Sequence, residues 1–81
     1  MAGAERALAA GDTDRAFSLL YEQATKFPHG RLAARRDLTH VRTLCRAGKV
    51  ADARDEAASF SAHHADPTLQ ALARAACPSL P

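Results

Sequence analysis

A 37-residue repeat constrains the fold of this chain more than any other feature of its sequence. Gly11 and Gly48 lie 37 positions apart, and four more pairs of identical residues share that offset. These pairs are Ala10 with Ala47, Ala16 with Ala53, Leu32 with Leu69, and Ala34 with Ala71. Because the matches coincide with predicted helix ends, we interpret them as a structural repeat. The sequence therefore predicts one domain over residues 1–81, with units at about 4–37 and 38–77.

Glycine and proline divide the chain into helical segments. Gly11 and Gly48 are predicted to end two of them as left-handed caps. Asp66-Pro67 offers a cap followed by proline at the first helical position, and Pro78 forbids continuation of the last segment. The predicted helices cover about residues 4–10, 14–27, 31–47, 50–63 and 67–76.

Apolar residues recur every three or four positions within these segments, which is typical of amphipathic helices. β-branched residues are scarce, and this disfavours a sheet. Much of the apolar content is alanine, so the core should be small and closely packed. The large aromatic residues, expected as core anchors, are Phe17, Tyr21, Phe27 and Phe60. We predict an all-α fold of antiparallel helix hairpins.

Each predicted unit consists of a helix that ends in Ala-Gly, four further residues, a small residue and a second helix. The four residues separate Gly11 from Ala16 in the first unit and Gly48 from Ala53 in the second. This pattern resembles the tetratricopeptide repeat, in which the glycine makes the turn and the alanine lets the two helices touch. The stretch 27–33 resembles the connection between hairpins in longer-period bacterial repeats, such as those of outer-membrane assembly lipoproteins.

The resemblance covers nearly the whole chain but departs from the family pattern. The period of 37 residues exceeds the usual ~34, and His64-Ala65 stands where the first unit has Phe-Pro. The resemblance implies about two hairpins plus a C-terminal capping helix. It also implies a groove lined by the first helix of each hairpin, in the segments ending at Ala10, Ala47 and Ala76, and a scaffolding function with a protein or peptide partner.

Repeat arrays usually need about three units for stability, because one hairpin cannot bury its own face. Two hairpins and a trailing helix leave one face without a neighbour. Either the chain is a fragment of a longer protein, or another chain covers that face, as in a homo-oligomer. The apolar residues expected on such an end or groove include Leu8, Phe17, Leu38 and Leu72.

The sharpest predicted surface feature is a strip of four arginines on the third helix. Arg31, Arg35, Arg42 and Arg46 fall within one narrow arc beside Leu38. In a functional interpretation, the strip grips an acidic peptide or a terminal carboxylate through bidentate guanidinium contacts, and Leu38 and Leu72 are further partner-binding residues. In an ordinary interpretation it is a solvated face, paired with Asp52, Asp55 and Glu56 of the next helix.

A small helical nucleic-acid-binding protein is the alternative function for the arginine strip. The formal net charge of +2 falls short of the basic surplus that non-specific binding usually requires. No aromatic residues interleave with the arginines. We therefore prefer a protein–protein interaction module.

The two cysteines and four histidines show no metal-ligand spacing, so no metal and no cofactor are predicted. Cys77 aligns with His40 across the repeat, which puts Cys45 roughly 7 to 8 Å further along the helix axis. A disulfide between Cys45 and Cys77 is therefore not expected unless the last helix runs at another angle, and two free thiols are the default.

The sequence offers no nucleophile with a base at recognisable spacing and no phosphate-binding loop, so no enzyme is predicted. The composition, rich in Ala and Arg and poor in Lys, is typical of a bacterial protein. The start lacks the apolar stretch of a signal peptide. We expect a cytoplasmic location for the chain as written, or a periplasmic one if it belongs to a longer exported protein.

Overall fold

The computed structural model describes residues 2–77, a range that leaves the predicted stop at Pro78 outside. Over this range the chain is all-α, as predicted, with helices and no strand. The five helices are α1 (Ala2–Ala9), α2 (Thr13–Lys26), α3 (Ala33–Arg46), α4 (Val50–His63) and α5 (Pro67–Arg74).

Local chemistry explains where the helices begin and end. Gly11 and Gly48 have φ angles of 79° and 78°, the left-handed conformation that glycine adopts without a steric penalty. The Asp12 carboxylate accepts a hydrogen bond from the Arg15 backbone N–H and so caps α2. Asp66 caps α5 in the same way, directly before the proline at its first position.

Two helix hairpins and one trailing helix make up the architecture. α1 packs against α2, and α3 packs against α4, in each case after a three-residue turn over residues 10–12 or 47–49. Ala16 and Ala53 are almost completely buried, with exposed fractions of 0% and 1%. α3 is the central element, since it also contacts α1, α2 and α5.

The hydrophobic core is concentrated in the second hairpin and the trailing helix. It combines residues of α3, α4 and α5: Leu38, Val41, Leu44, Ala53, Ala57, Phe60 and Ala73. The first hairpin buries mainly alanine, with Leu20 as its one larger buried side chain among the described residues. Phe17 packs against the core from α2 and links the hairpins. The first hairpin therefore contributes less apolar burial than the second.

The expectation that all four aromatic residues anchor the core was wrong for two of them. Tyr21 is 76% exposed and Phe27 is 60% exposed. Tyr21 lies beside the buried stripe of α2 and points to solvent, while Phe27 follows the last residue of that helix. Only Phe60 is fully in the core, and Phe17 is half-buried.

The connection between the hairpins occupies residues 27–32, so Arg31 and Leu32 precede α3. The predicted unit boundary between residues 37 and 38 falls inside this helix. An offset of 37 between matching residues does not fix where a hairpin starts.

Cys45 and Cys77 form a disulfide, with their Cα atoms 5.3 Å apart, so the prediction of two free thiols was wrong. The error came from treating Cys77 as a helical residue. α5 ends at Arg74, and the chain beyond it no longer follows the helix axis. An axial offset calculated for a continuous helix therefore does not apply, and the segment can approach α3.

Candidate binding surface

Three arginines form an exposed basic surface on α3, and we call Arg35, Arg42 and Arg46 the arginine face. All three are exposed to solvent. At about 100° per residue they lie on one side of the helix, between the core side at Leu38 and the buried Thr39. Because packed sides flank it, this surface is the part of α3 left open to a partner.

Arg35 already has an intramolecular partner. Its Nε donates to Glu5 Oε2 at 2.8 Å, and one Nη donates to Glu5 Oε1 at 2.7 Å. These hydrogen bonds, and then the carboxylate charge, raise the pKa of Arg35. The bidentate pair ties α1 to α3 and takes up most of the guanidinium's capacity to bind another carboxylate.

Arg42 and Arg46 form no ion pair within residues 2–77. The acidic residues of α4 that were expected to neutralise the strip do not reach it; Glu56 instead lies 3.4 Å from His40 Nδ1. Arg46 extends toward the first turn, where a Cβ placed on Gly11 would be 3.3 Å from one of its Nη atoms. Two cationic groups therefore remain available on one face.

Arg31 does not belong to the arginine face, because it lies in the connection before α3. It lines a surface cleft of 370 Å³ together with Phe27, Leu32 and Arg36. The predicted strip of four is thus a face of three with a separate fourth member.

Leu38 and Leu72 were both predicted to contact a partner, and their placements differ. Leu38 is only 4% exposed and belongs to the core, so its assignment to the binding surface was wrong. Its position at the edge of the apolar stripe allowed either placement. Leu72 is 41% exposed on α5. Leu8 and Phe17, predicted to lie on an open apolar face, are half-buried.

Arg36 is an important residue that the sequence interpretation missed. It is only 9% exposed, and its Nη1 donates to the Phe27 carbonyl at 3.0 Å. A second Nη lies 3.5 Å from the Pro28 carbonyl, and Nε donates to Asp37 at 3.2 Å. One signal was present, since carbonyls at the end of a helix lack intrahelical donors. Arg36 holds the connection between the hairpins against α3.

The histidines serve separate local contacts. His64 Nε2 lies 2.7 Å from Asp37 Oδ2, and His63 Nδ1 lies 2.8 Å from the Ser59 carbonyl. Across residues 2–77, no group of three or more His, Cys, Asp or Glu side chains is arranged to hold a metal ion. The His64–Asp37 contact joins the end of α4 to α3.

No protein-family model matches the sequence, and comparison with curated proteins and solved structures gives no significant match. Within the described part of the chain, none of the helices is both long and apolar enough to cross a membrane. Functional inference therefore depends on the geometry of the arginine face and its surroundings.

Proposed function

We propose that this protein is a tetratricopeptide-like interaction module that binds an acidic segment of a partner protein through its arginine face. The observation that supports this most is the pair Arg42 and Arg46, both exposed and without an ion-pair partner among the described residues. They stand on the helix that contacts all four other helices. A ligand bound there would be held by the most firmly supported element of the fold.

The spacing of the two arginines suits an extended or helical acidic peptide. Residues four apart on a helix lie about 6 Å apart along its axis, so two guanidinium groups can each take one carboxylate. A guanidinium binds a carboxylate through two parallel hydrogen bonds. Glu5 already binds Arg35 in this way, which shows the kind of contact that the face can make.

Leu72 adds an apolar element to the proposed surface. It is exposed on α5, which packs against α3. An acidic peptide with one apolar side chain would therefore fit better than a purely acidic one, because burying that side chain contributes about 25 cal/mol per Å². Together, the arginine face and Leu72 would make the surface prefer peptides that carry an apolar side chain as well as acidic ones.

Binding can be tested with a fluorescently labelled peptide that alternates Glu and Leu, measured by anisotropy at low salt. We expect binding by the unmodified protein and its loss when Arg42→Glu and Arg46→Glu are combined. The matched control combines Arg15→Glu with Arg54→Glu, which changes the net charge equally at exposed arginines elsewhere. Equal loss in both double variants would show a non-specific charge effect and contradict the proposal.

The salt dependence of binding distinguishes the nucleic-acid alternative from peptide binding. A labelled single-stranded oligonucleotide should bind weakly, and with the steep salt dependence that counterion release produces. Tighter binding of the oligonucleotide than of the acidic peptide would favour the alternative. Sedimentation of the free protein tests whether a second copy is the partner, because a homo-oligomer would form without any peptide.

A further inference from the structure

The Cys45–Cys77 disulfide links the end of α3 to the segment after α5, across 32 positions of sequence. Both cysteines are half-buried and not enclosed in the core. A small thiol can therefore approach the bond from solvent. The disulfide is therefore partly accessible to solvent, and it restrains one element of the fold.

The element that the disulfide restrains is α5. This helix has eight residues; Ala73 is fully buried, and Leu69 is partly buried against the core. Gln70 Nε2 donates to the Ser61 and His64 carbonyls at 3.2 and 2.6 Å, which fixes only the start of the helix. Helices this short are marginal in water without packing. The disulfide therefore contributes much of the attachment of α5 to the rest of the fold.

α1 provides an internal comparison, because it also has eight residues. It buries both Ala4 and Ala7, and Glu5 clamps it to Arg35. A tight glycine turn joins it to α2. α1 thus has two buried side chains and a bidentate ion pair. α5 has one fully buried side chain, the Gln70 hydrogen bonds at its start and the disulfide beyond its end.

We infer that the Cys45–Cys77 disulfide is a redox latch, whose reduction releases α5 while α1 to α4 remain folded. A dithiol reductant attacks one sulfur as its thiolate and forms a mixed disulfide. Its second thiol then displaces the remaining protein sulfur. The reductant leaves as a cyclic disulfide, and its two electrons and two protons end on the thiols of Cys45 and Cys77.

Release of α5 affects the proposed binding surface, which includes Leu72 as well as the arginine face. Cys45 is adjacent in sequence to Arg46 and three positions from Arg42, and α5 carries the exposed Leu72. Reduction therefore frees the helix that carries the apolar part of the proposed binding surface. We expect the reduced protein to bind the Glu/Leu peptide several-fold more weakly. This consequence rests on the proposed function, whereas the release of α5 does not.

Hydrogen exchange read by mass spectrometry tests the latch directly. The oxidised protein is compared with protein treated with dithiothreitol and with the Cys77→Ala variant. We expect faster exchange across residues 67–77 in both, with α1 and α3 unchanged. Ala75→Ser is the matched control, since it alters an exposed neighbour and keeps both cysteines.

Three results would overturn the latch. These are unchanged exchange in α5 after reduction, loss of protection in all helices together, and alkylation of two thiols without any reductant. The peptide measurement separates the two proposals. If α5 is released but neither redox form binds the peptide, the latch stands and the proposed function fails. If α5 stays protected after reduction while the oxidised protein binds the peptide, the latch fails and the proposed function stands.

Discussion

Glu5 and Arg35, thirty positions apart, are joined by two parallel hydrogen bonds of 2.7 and 2.8 Å. The pair connects the first helix of one hairpin to the first helix of the next. It lies at the edge of the arginine face, so the same contact supports the fold and reduces the number of guanidinium groups open to a ligand.

Removing this pair should loosen the attachment of α1 to α3 in a salt-dependent way. We expect Glu5→Gln to lower the melting temperature at low ionic strength and to have less effect in 1 M salt, where the Debye length is about 3 Å. Combining it with Arg35→Gln should add little, because the interaction is already lost. Additive effects of the two substitutions would show that the residues do not interact in solution.

The left-handed turn at Gly48 should be sensitive to any side chain. A Cβ at this position would meet no atom within 4 Å, so a substitution tests backbone conformation alone. We expect Gly48→Ala to cost about 1 to 2 kcal/mol of unfolding free energy, and Gly48→Val to cost more. Gly3→Ala is the control, since Gly3 lies within α1 and alanine should stabilise a helix there. Denaturant titration of the variants measures the difference.

Ala53 should tolerate no larger side chain. It is completely enclosed between α3 and α4, and we expect Ala53→Leu to destabilise the protein by about 1 to 3 kcal/mol through overpacking. Ala58 lies on the exposed side of the same helix. Ala58→Leu should therefore change stability little in the same denaturant titration. Similar effects at both positions would contradict the packing of the second hairpin.

Arg36 should matter for the connection over residues 27–32. Arg36→Met keeps the length of the side chain but removes the guanidinium donors to the Phe27 and Pro28 carbonyls, and leaves the Phe27 carbonyl only the Gly30 N–H. We expect a loss of about 1 kcal/mol and faster proteolysis within the connection. Arg31→Met, in the connection itself, is the control. An unchanged cleavage rate in the Arg36 variant would show that the connection is held by other contacts.

The exposed pair Glu22 and Lys26 should affect the pKa of Glu22 more clearly than it affects the stability of the protein. The hydrogen bond from Lys26, and then its charge, hold the pKa of Glu22 below its usual 4.5. The stabilisation is therefore fully present above that value and is lost as the pH falls through the lowered pKa. NMR titration should show the Glu22 pKa rising toward 4.5 in Lys26→Gln. No change in that variant would contradict the pairing.

Helix positions could be predicted from the sequence because their determinants are local. Gly11, Gly48 and Asp66-Pro67 specify turns and caps within a few residues, and the apolar spacing specifies which side of each helix is buried. The all-α fold follows from these signals. The assignment of the two hairpins to the tetratricopeptide repeats is a proposal.

The binding surface was harder to predict because it depends on contacts between distant segments. Arg35 and Arg36 are neighbours of one residue type, yet one pairs with Glu5 and the other is buried against the Phe27 carbonyl. The sequence signals that carbonyls at the end of α2 need donors, but it does not show which of the two arginines supplies them. The Cys45–Cys77 bond was missed for the same reason, since it depends on how the segment after α5 meets α3.

Thr39 and Thr43 lie buried on the side of α3 that bears Arg35 and Arg36, toward the first hairpin. Each hydroxyl donates to a carbonyl one turn earlier in its own helix, at 2.8 and 2.7 Å. Their polar groups are thus satisfied without the neighbouring helices, and this interface imposes no hydrogen-bonded register on them. The position of one hairpin along the other is instead fixed by the hydrogen bonds of Glu5 with Arg35 and of Arg36 with the Phe27 carbonyl, together with the packing of Phe17 against the core.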